Sequence, residues 1–94
     1  MKKEYVKISE NDNNVTIVNP DGVKRGDRLG DLGLEILEDI PQANKLSIID
    51  IKKDDPIIRY GEIIGYANKE IKKGELIDQN KIYVKAVDGL DIDI

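Results

Sequence analysis

Apolar residues along this chain fall in short runs: EYVKI, VTIV, LEIL, KLSIIDI, IIRY, EIIGYA and IYVKAV. Between them lie NDNN, NPDG, KRGD, KKDDP and KKGE, segments of Gly, Pro, Asn and Asp that favour reversals over regular structure. Several runs alternate with period two. In IYVKAV, for example, Ile82, Val84 and Ala86 share one face, as in a half-buried strand. Ile and Val together number 22, against 10 Leu and Ala. This β-branched majority is stiff at χ1 and suits a pleated surface better than a helix. DLGLEILED could open a helix capped by Asp31, but Gly33 and its short length argue against one. The pattern predicts an all-β domain of short strands and tight turns over residues 1–94, with little or no helix.

Three stretches repeat one phrase: VKRGDRL at 23–29, IKKDDPI at 51–57 and IKKGELI at 71–77. Each has an apolar residue, two cations, a Gly or Asp, an acid, one free position and another apolar residue. The physical reading is a polar corner between strands whose flanking Ile, Val and Leu point inward. Gly26 and Gly74 suit a positive φ, and Asp54 tolerates it at the matching place. Pro56 fixes φ and lacks an N–H, which suits the start of a strand. The last two copies are too close for solenoid repeats, since each copy would have to be a whole supersecondary unit. NDNN reads as a polar turn. LDIDI near the C-terminus reads as a strand with an acidic face that could extend a partner's sheet. Asp88, Asp91 and Asp93 lack the spacing of an EF-hand loop.

Composition narrows the chemistry. At 94 residues, the chain fits one small domain. It has no Cys and no His, so a thiolate nucleophile, a zinc ribbon and an imidazole base are all excluded. The net charge is −4, with 15 Lys and Arg interleaved among 19 acids, and there is no Phe or Trp. Neither a phosphate-collecting face nor a base-stacking platform is evident, so nucleic acid is not the expected partner. No run approaches a membrane span, and MKKEYVKISE lacks the apolar core of a signal peptide. The expectation is a soluble cytoplasmic protein with no membrane partner.

The run EDIPQANKLSIIDIKKDDPIIRYGEIIGYANKEIKKGELI, residues 38–77, resembles the SAF (β-clip) domain of the altronate/galactarate dehydratase family. That family includes the small subunit of sulfolactate sulfo-lyase. Ile40, Pro41, Lys45, Asp50, Ile51, Tyr60, Gly61, Ile64, Gly65, Ala67, Ile71, Gly74 and Glu75 stand where the family pattern expects them. The most specific piece is IRYGEIIGYA, because two glycines and a tyrosine at this spacing are not generic turn chemistry. The resemblance implies a small β-clip fold. It also implies an accessory role beside a large catalytic subunit that eliminates water or sulfite from a hydroxy- or sulfo-carboxylate. Such elimination needs a base, an acid, and a cation or donors for the developing enediolate. The family places that machinery, with iron or another divalent metal, in the large domain; no cofactor is expected in this chain.

The departures bear on function. The family has Gly-His before the lysine, where this chain has Ala43 and Asn44. It has His-x-His-Asn after the last corner, where this chain has Asp78, Gln79, Asn80 and Lys81. The histidines implied to reach the substrate or the partner's metal are all absent, so the chain is not expected to catalyse alone. The candidate substrate-binding residues are Asn44, Lys45, Asp78 and Asn80. Lys45 could pair with a substrate carboxylate, or be a solvated lysine at a strand start. Asn44, Asp78 and Asn80 could equally be turn formers. Tyr60 is expected to pack its ring in the core with the hydroxyl at the edge; Arg59 could point outward as an anion contact, with an ordinary surface-strand arginine as the leading reading. The leading expectation is a small subunit of a hydro-lyase or carbon–sulfur lyase, capping a metal site in a large partner and touching a sugar acid. The alternative is a standalone SAF module that binds a saccharide or a protein without catalysis.

Overall fold

The computed structural model describes residues 3–85 and, for the backbone only, 91–92. The period-two runs become short strands. In chain order these are β1 (Tyr5–Val6), β2 (Asn14–Ile17), β3 (Arg28–Leu29), β4 (Leu34–Glu35), β5 (Lys45–Ser47), β6 (Pro56–Arg59), β7 (Glu62–Ala67), β8 (Leu76–Ile77), β9 (Ile82–Lys85) and β10 (Asp91–Ile92). A single 3-10 turn, Gln79–Lys81, interrupts them among the described residues. The fold is all-β as expected, and DLGLEILED forms the β3–β4 hairpin rather than a helix. All strand pairs are antiparallel. One sheet runs β1-β2-β5-β8, a second β10-β9-β7-β6, and β3 pairs with β4 alone. The C-terminal strand pairs with β9 of its own chain, Asp91 opposite Lys85. Asp88 and Asp93 lie outside the described residues.

The repeated phrase is one piece of backbone machinery used three times. Its third polar position has positive φ in every copy: Gly26 at 92°, Asp54 at 73° and Gly74 at 97°. The acid that follows folds back on its own turn. Asp27, Asp55 and Glu75 carboxylates accept from the N–H groups of Lys24, Lys52 and Lys72. Each acid's own N–H donates to the carbonyl of that same lysine. A distant core residue then completes the corner with two backbone hydrogen bonds. Ile36 exchanges them with Gly26 and Asp27, Ala67 with Asp54 and Asp55, and Ser47 with Gly74 and Glu75. The apolar residues that open each phrase, Val23, Ile51 and Ile71, are buried. Val23 bridges Ile40, and Ile51 bridges Ile71. Leu29, Ile57 and Ile77, which close the phrases, are also buried.

Two apolar clusters result. Val15, Ile17, Val23, Leu29, Leu34, Ile36, Ile40 and Leu46 form the larger. Ile51, Ile57, Ala67, Ile71, Ile77 and Ile82 form the smaller. The alternation of β5 and β8 divides between them. Leu46 and its register partner Leu76 meet the larger cluster, whereas Ile77, opposite Lys45, belongs to the smaller.

NDNN is a polar turn only at its start, where Asn11 is exposed. Asp12, Asn13 and Asn14 are all buried, and their side chains join β2 to the edge of β6. Asn13 Nδ2 donates to Pro56 O, while its Oδ1 accepts from Ile58 N. Asn14 Nδ2 donates to Ile58 O, and so does the Asn13 N–H. Asp12 accepts from the N–H groups of Ser9, Tyr60 and Gly61. Amide side chains thus take the place that a neighbouring strand's backbone would occupy, and cover an edge that would otherwise be open. Burial pushes the Asp12 carboxyl up, but the N–H donors from Gly61, Ser9 and Tyr60, with the charge of Lys7, bring it below the usual carboxylate range.

Two predictions follow from these contacts. A Cβ at Gly74 would meet the Glu35 carbonyl, whereas one at Gly26 would meet nothing within 4 Å. Gly26→Ala is expected to cost about 1–2 kcal/mol from its backbone conformation alone. Gly74→Ala should cost about 2–4 kcal/mol because overpacking adds to that; urea denaturation of both variants checks the difference. The second concerns Asp12. Its lowered pKa makes a contribution that is present above the unfolded-state value and lost as pH falls through the folded-state one. Asp12→Asn should therefore destabilise the chain at neutral pH by about 1–3 kcal/mol, the cost of buried donors losing their partner. The gap to wild type should close below about pH 4, as followed by denaturation across pH.

Candidate functional site

Lys45 opens β5, flanked in register by Thr16 of β2 and Ile77 of β8. Arg59, the last residue of β6, reaches the Thr16 side chain: its Nη2 donates to Thr16 Oγ1 at 2.6 Å. The Asn13–Asn14 latch brings β6 to this position, because it fixes the strand edge next to β2. Lys45 and Arg59 are both half-buried and neighbours of one hydroxyl. Burial lowers the Lys45 pKa, the Arg59 charge lowers it further, and only Asp78 pulls it back up.

The β6–β7 turn then places Tyr60. Tyr60 and Gly61 have φ of 58° and 73°, with Arg59 paired to Glu62 across them. Two consecutive positive φ values make the two-residue hairpin loop that Asn-Gly usually fills. Tyr at the first position is locally unfavourable. Its N–H and that of Gly61 form a small concavity that the Asp12 carboxylate fills. The Tyr60 ring is not in the core: it is 60% exposed, with the Arg59 guanidinium carbon 5.1 Å from its centroid. Arg59 is accordingly a half-buried, anchored residue rather than an ordinary surface one.

The four residues singled out in the sequence separate in the structure. Lys45 and Asp78 share one neighbourhood, since Asp78 directly follows the register partner of Lys45 and acts on its charge. Asp78 also caps the 3-10 turn by accepting from Asn80 N. Asn44 uses its side-chain amide on the carbonyls of Pro41 and Gln42, as a turn former does. The preceding Ala43 has φ of 72°, a conformation that explains the glycine of the family pattern there. Asn80 offers its carbonyl to Asn68 Nδ2, and its side chain lies at the surface.

Lys81, which the sequence reading passed over, is buried at 8% exposure. Its ammonium meets Glu38 at 3.2 Å, Glu75 at 3.3 Å and the Leu76 carbonyl at 2.5 Å. That is a fully compensated structural lysine. A groove of about 260 Å³ lies elsewhere, lined by Asn13, Asp50, Asp55, Ile49 and Ile58 among others. Three of its polar walls are committed to backbone: Asp50 to Lys73 N, Asp55 to Lys52 N, and Asn13 to Pro56 and Ile58, while the exposed Asn11 also lines it. Among the described residues, no three Asp or Glu side chains are grouped to hold a metal ion. No helix among them is long and apolar enough to cross a membrane.

Comparison with known proteins places this geometry in a family. Residues 3–85 match the altronate/galactarate dehydratase SAF domain. The chain is 46% identical over 78 residues to the galactarate dehydratase (L-threo-forming) of Escherichia coli (strain K12). It is 34% identical over 77 residues to the altronate dehydratase of Bacillus subtilis (strain 168). These alignments cover 83% and 80% of this chain but only 15% of each relative. With its corners, strand order and Arg-Tyr-Gly turn described above, the chain belongs to the altronate/galactarate dehydratase SAF domain family.

Proposed function

We propose that this chain is the accessory part of a sugar-acid hydro-lyase, working beside a large catalytic subunit and contributing contacts to the substrate. The observation that supports this most is the 46% identity to a segment of a galactarate dehydratase. The chain itself has no histidine or cysteine and no grouped metal ligands among the described residues. General acid–base work and any divalent cation, iron included, therefore belong to the large subunit in this reading, and no chemical step is assigned to the residues here. Their contribution is binding and orientation, which lowers the barrier by holding the reacting groups in place. Lys45 and Asp78 are the pair that makes this contact.

An exposed apolar set also supports a partner. Ile8, Tyr60 and Ile63 are 46%, 60% and 55% exposed. Ile8 precedes Ser9, whose N–H shares the Asp12 carboxylate with Tyr60 and Gly61. A register shift between Ile57 and Ile58 leaves Ile64 opposite no residue of β6, and Ile64 too is exposed. Such a surface around the turn fits a protein neighbour better than a free saccharide; a standalone module that binds a saccharide or a protein without catalysis is the second reading.

The test is reconstitution. The tagged chain is purified from its native extract, and dehydration of galactarate and altronate is assayed in what co-purifies. The expected result is a stoichiometric large subunit carrying a divalent metal, with turnover that depends on this chain. Lys45→Ala in the complex should lower kcat/KM by about tenfold or more, the scale of one lost charge-assisted contact. A chain that emerges alone and metal-free, or turnover indifferent to its removal, would contradict the proposal and favour the binding module.

A further inference from the structure

The chain treats its buried cations unequally. Lys81 receives two glutamates and a carbonyl. Lys45 and Arg59, half-buried and beside one another at Thr16, receive no carboxylate within ion-pair distance among the described residues. The chain has 19 acidic residues available. Arg59 is also short of a partner, because its buried Nε donor has no hydrogen bond. Only its Nη2 is engaged, by Thr16, and one face lies against Tyr60. Partly withdrawing two like charges from water, with only Asp78 acting from beyond ion-pair distance on Lys45, is unfavourable. So is the left-handed backbone of a non-glycine residue at Tyr60. Both costs meet at one place, where the Asp12–Asn14 latch holds the backbone rigid. Positive φ alone also occurs at the structural corner of Asp54; what sets this place apart is that under-compensated charge meets it on a hydrogen-bonded frame.

We propose that Lys45, Arg59 and Thr16 form a carboxylate-binding site, with the Tyr60 ring as its wall. The inference rests on the sugar-acid reading and assigns the acid end of the ligand to these residues. A carboxylate has two oxygens and about four lone-pair positions. It can therefore accept from the Lys45 ammonium and from the Arg59 Nη donors that Thr16 leaves over. Thr16 fixes the plane of the fork, and Tyr60 holds its face. Asp78, the one acid acting on Lys45, repels a second carboxylate nearby and so orients a diacid with its far end away from β8. Arg59 is the residue that the sequence reading set aside, and here it is the main anchor.

The test uses the chain alone. Isotope-labelled protein is titrated with galactarate while the Lys45 and Arg59 side chains and the Thr16 amide are followed by NMR, against sodium chloride and sulfate at matched ionic strength. The expected result is a saturable shift at these three residues with galactarate and none with chloride. Arg59→Gln and Lys45→Met should each weaken binding by about tenfold with the amide spectrum otherwise retained. Lys45→Met should also raise the unfolding temperature of the unliganded chain, because an uncompensated charge is removed. Absent saturation, equal shifts with sulfate or chloride (an adventitious ion only), unchanged binding in the variants, or a lower unfolding temperature for Lys45→Met would each overturn the proposal. No lyase partner enters this experiment. Binding without co-purification of a large subunit would leave the site standing and remove the dehydratase reading, and the reverse pair of results would do the opposite.

Discussion

The side chains of Asp12, Asn13 and Asn14 act as a substitute strand, and the placement of everything on β6 depends on them. Backbone N–H and C=O groups of an edge strand must be paired or solvated, and here two asparagine amides and one main-chain N–H pair with the carbonyls and the N–H of Pro56 and Ile58. Because most of these bonds come from side chains rather than a backbone ladder, β2 and β6 stay in separate sheets, and each keeps its own apolar cluster. The same segment then clamps the Tyr60–Gly61 turn through Asp12. Asn14 Oδ1 remains buried without a partner, a residual cost of using an amide with four bonding positions where only the two Nδ2 donors are met. The consequence for function is positional: Arg59 ends β6 at Thr16 because the latch sets the register there.

The three corners perform a complementary task. Each lets one core residue exchange two backbone hydrogen bonds with the reversal, so a chain with many short strands still pairs its buried backbone. The carboxylates of Asp27, Asp55 and Glu75 are consumed in the corners, and Asp50 and Asp39 reach further corner N–H groups of Lys73 and Arg25. Much of the acidic complement is thus structural, holding amides rather than cations. Lys81 is compensated within this scheme, whereas Lys45 and Arg59 are left for something outside it.

The corners were legible from the sequence because their determinants are local. A residue that tolerates positive φ and an acid one step later specify the reversal without reference to the rest of the chain, and Gly26, Asp54 and Gly74 all adopt it. Strand content was legible from the β-branched runs for the same reason, as was Pro56 at the start of β6. NDNN was not, because Asn and Asp give the same local signal whether they turn the chain in water or bond a strand 43 to 49 residues away. Tyr60 was read as core since aromatic rings usually are; only the pairing of Arg59 with Glu62 reveals a turn that points the ring outward. Lys81 escaped notice because lysine is mostly exposed, and its glutamates are distant in sequence. Of the site, Lys45 and Asp78 were visible through the family pattern, while Arg59 and Thr16 meet only once β2 and β6 are side by side.

The central claim is that the latch makes an exposed hairpin tip as rigid as the core. Native-state hydrogen exchange of the Tyr60 and Gly61 amides tests it most directly, since both lie at a solvent-facing turn and bond only the Asp12 carboxylate. Protection of these two amides comparable to that of Ile17 or Ile71 is the predicted result. Exchange at the rate of an open loop would contradict the account, and with it the fixed placement of Arg59 beside Lys45.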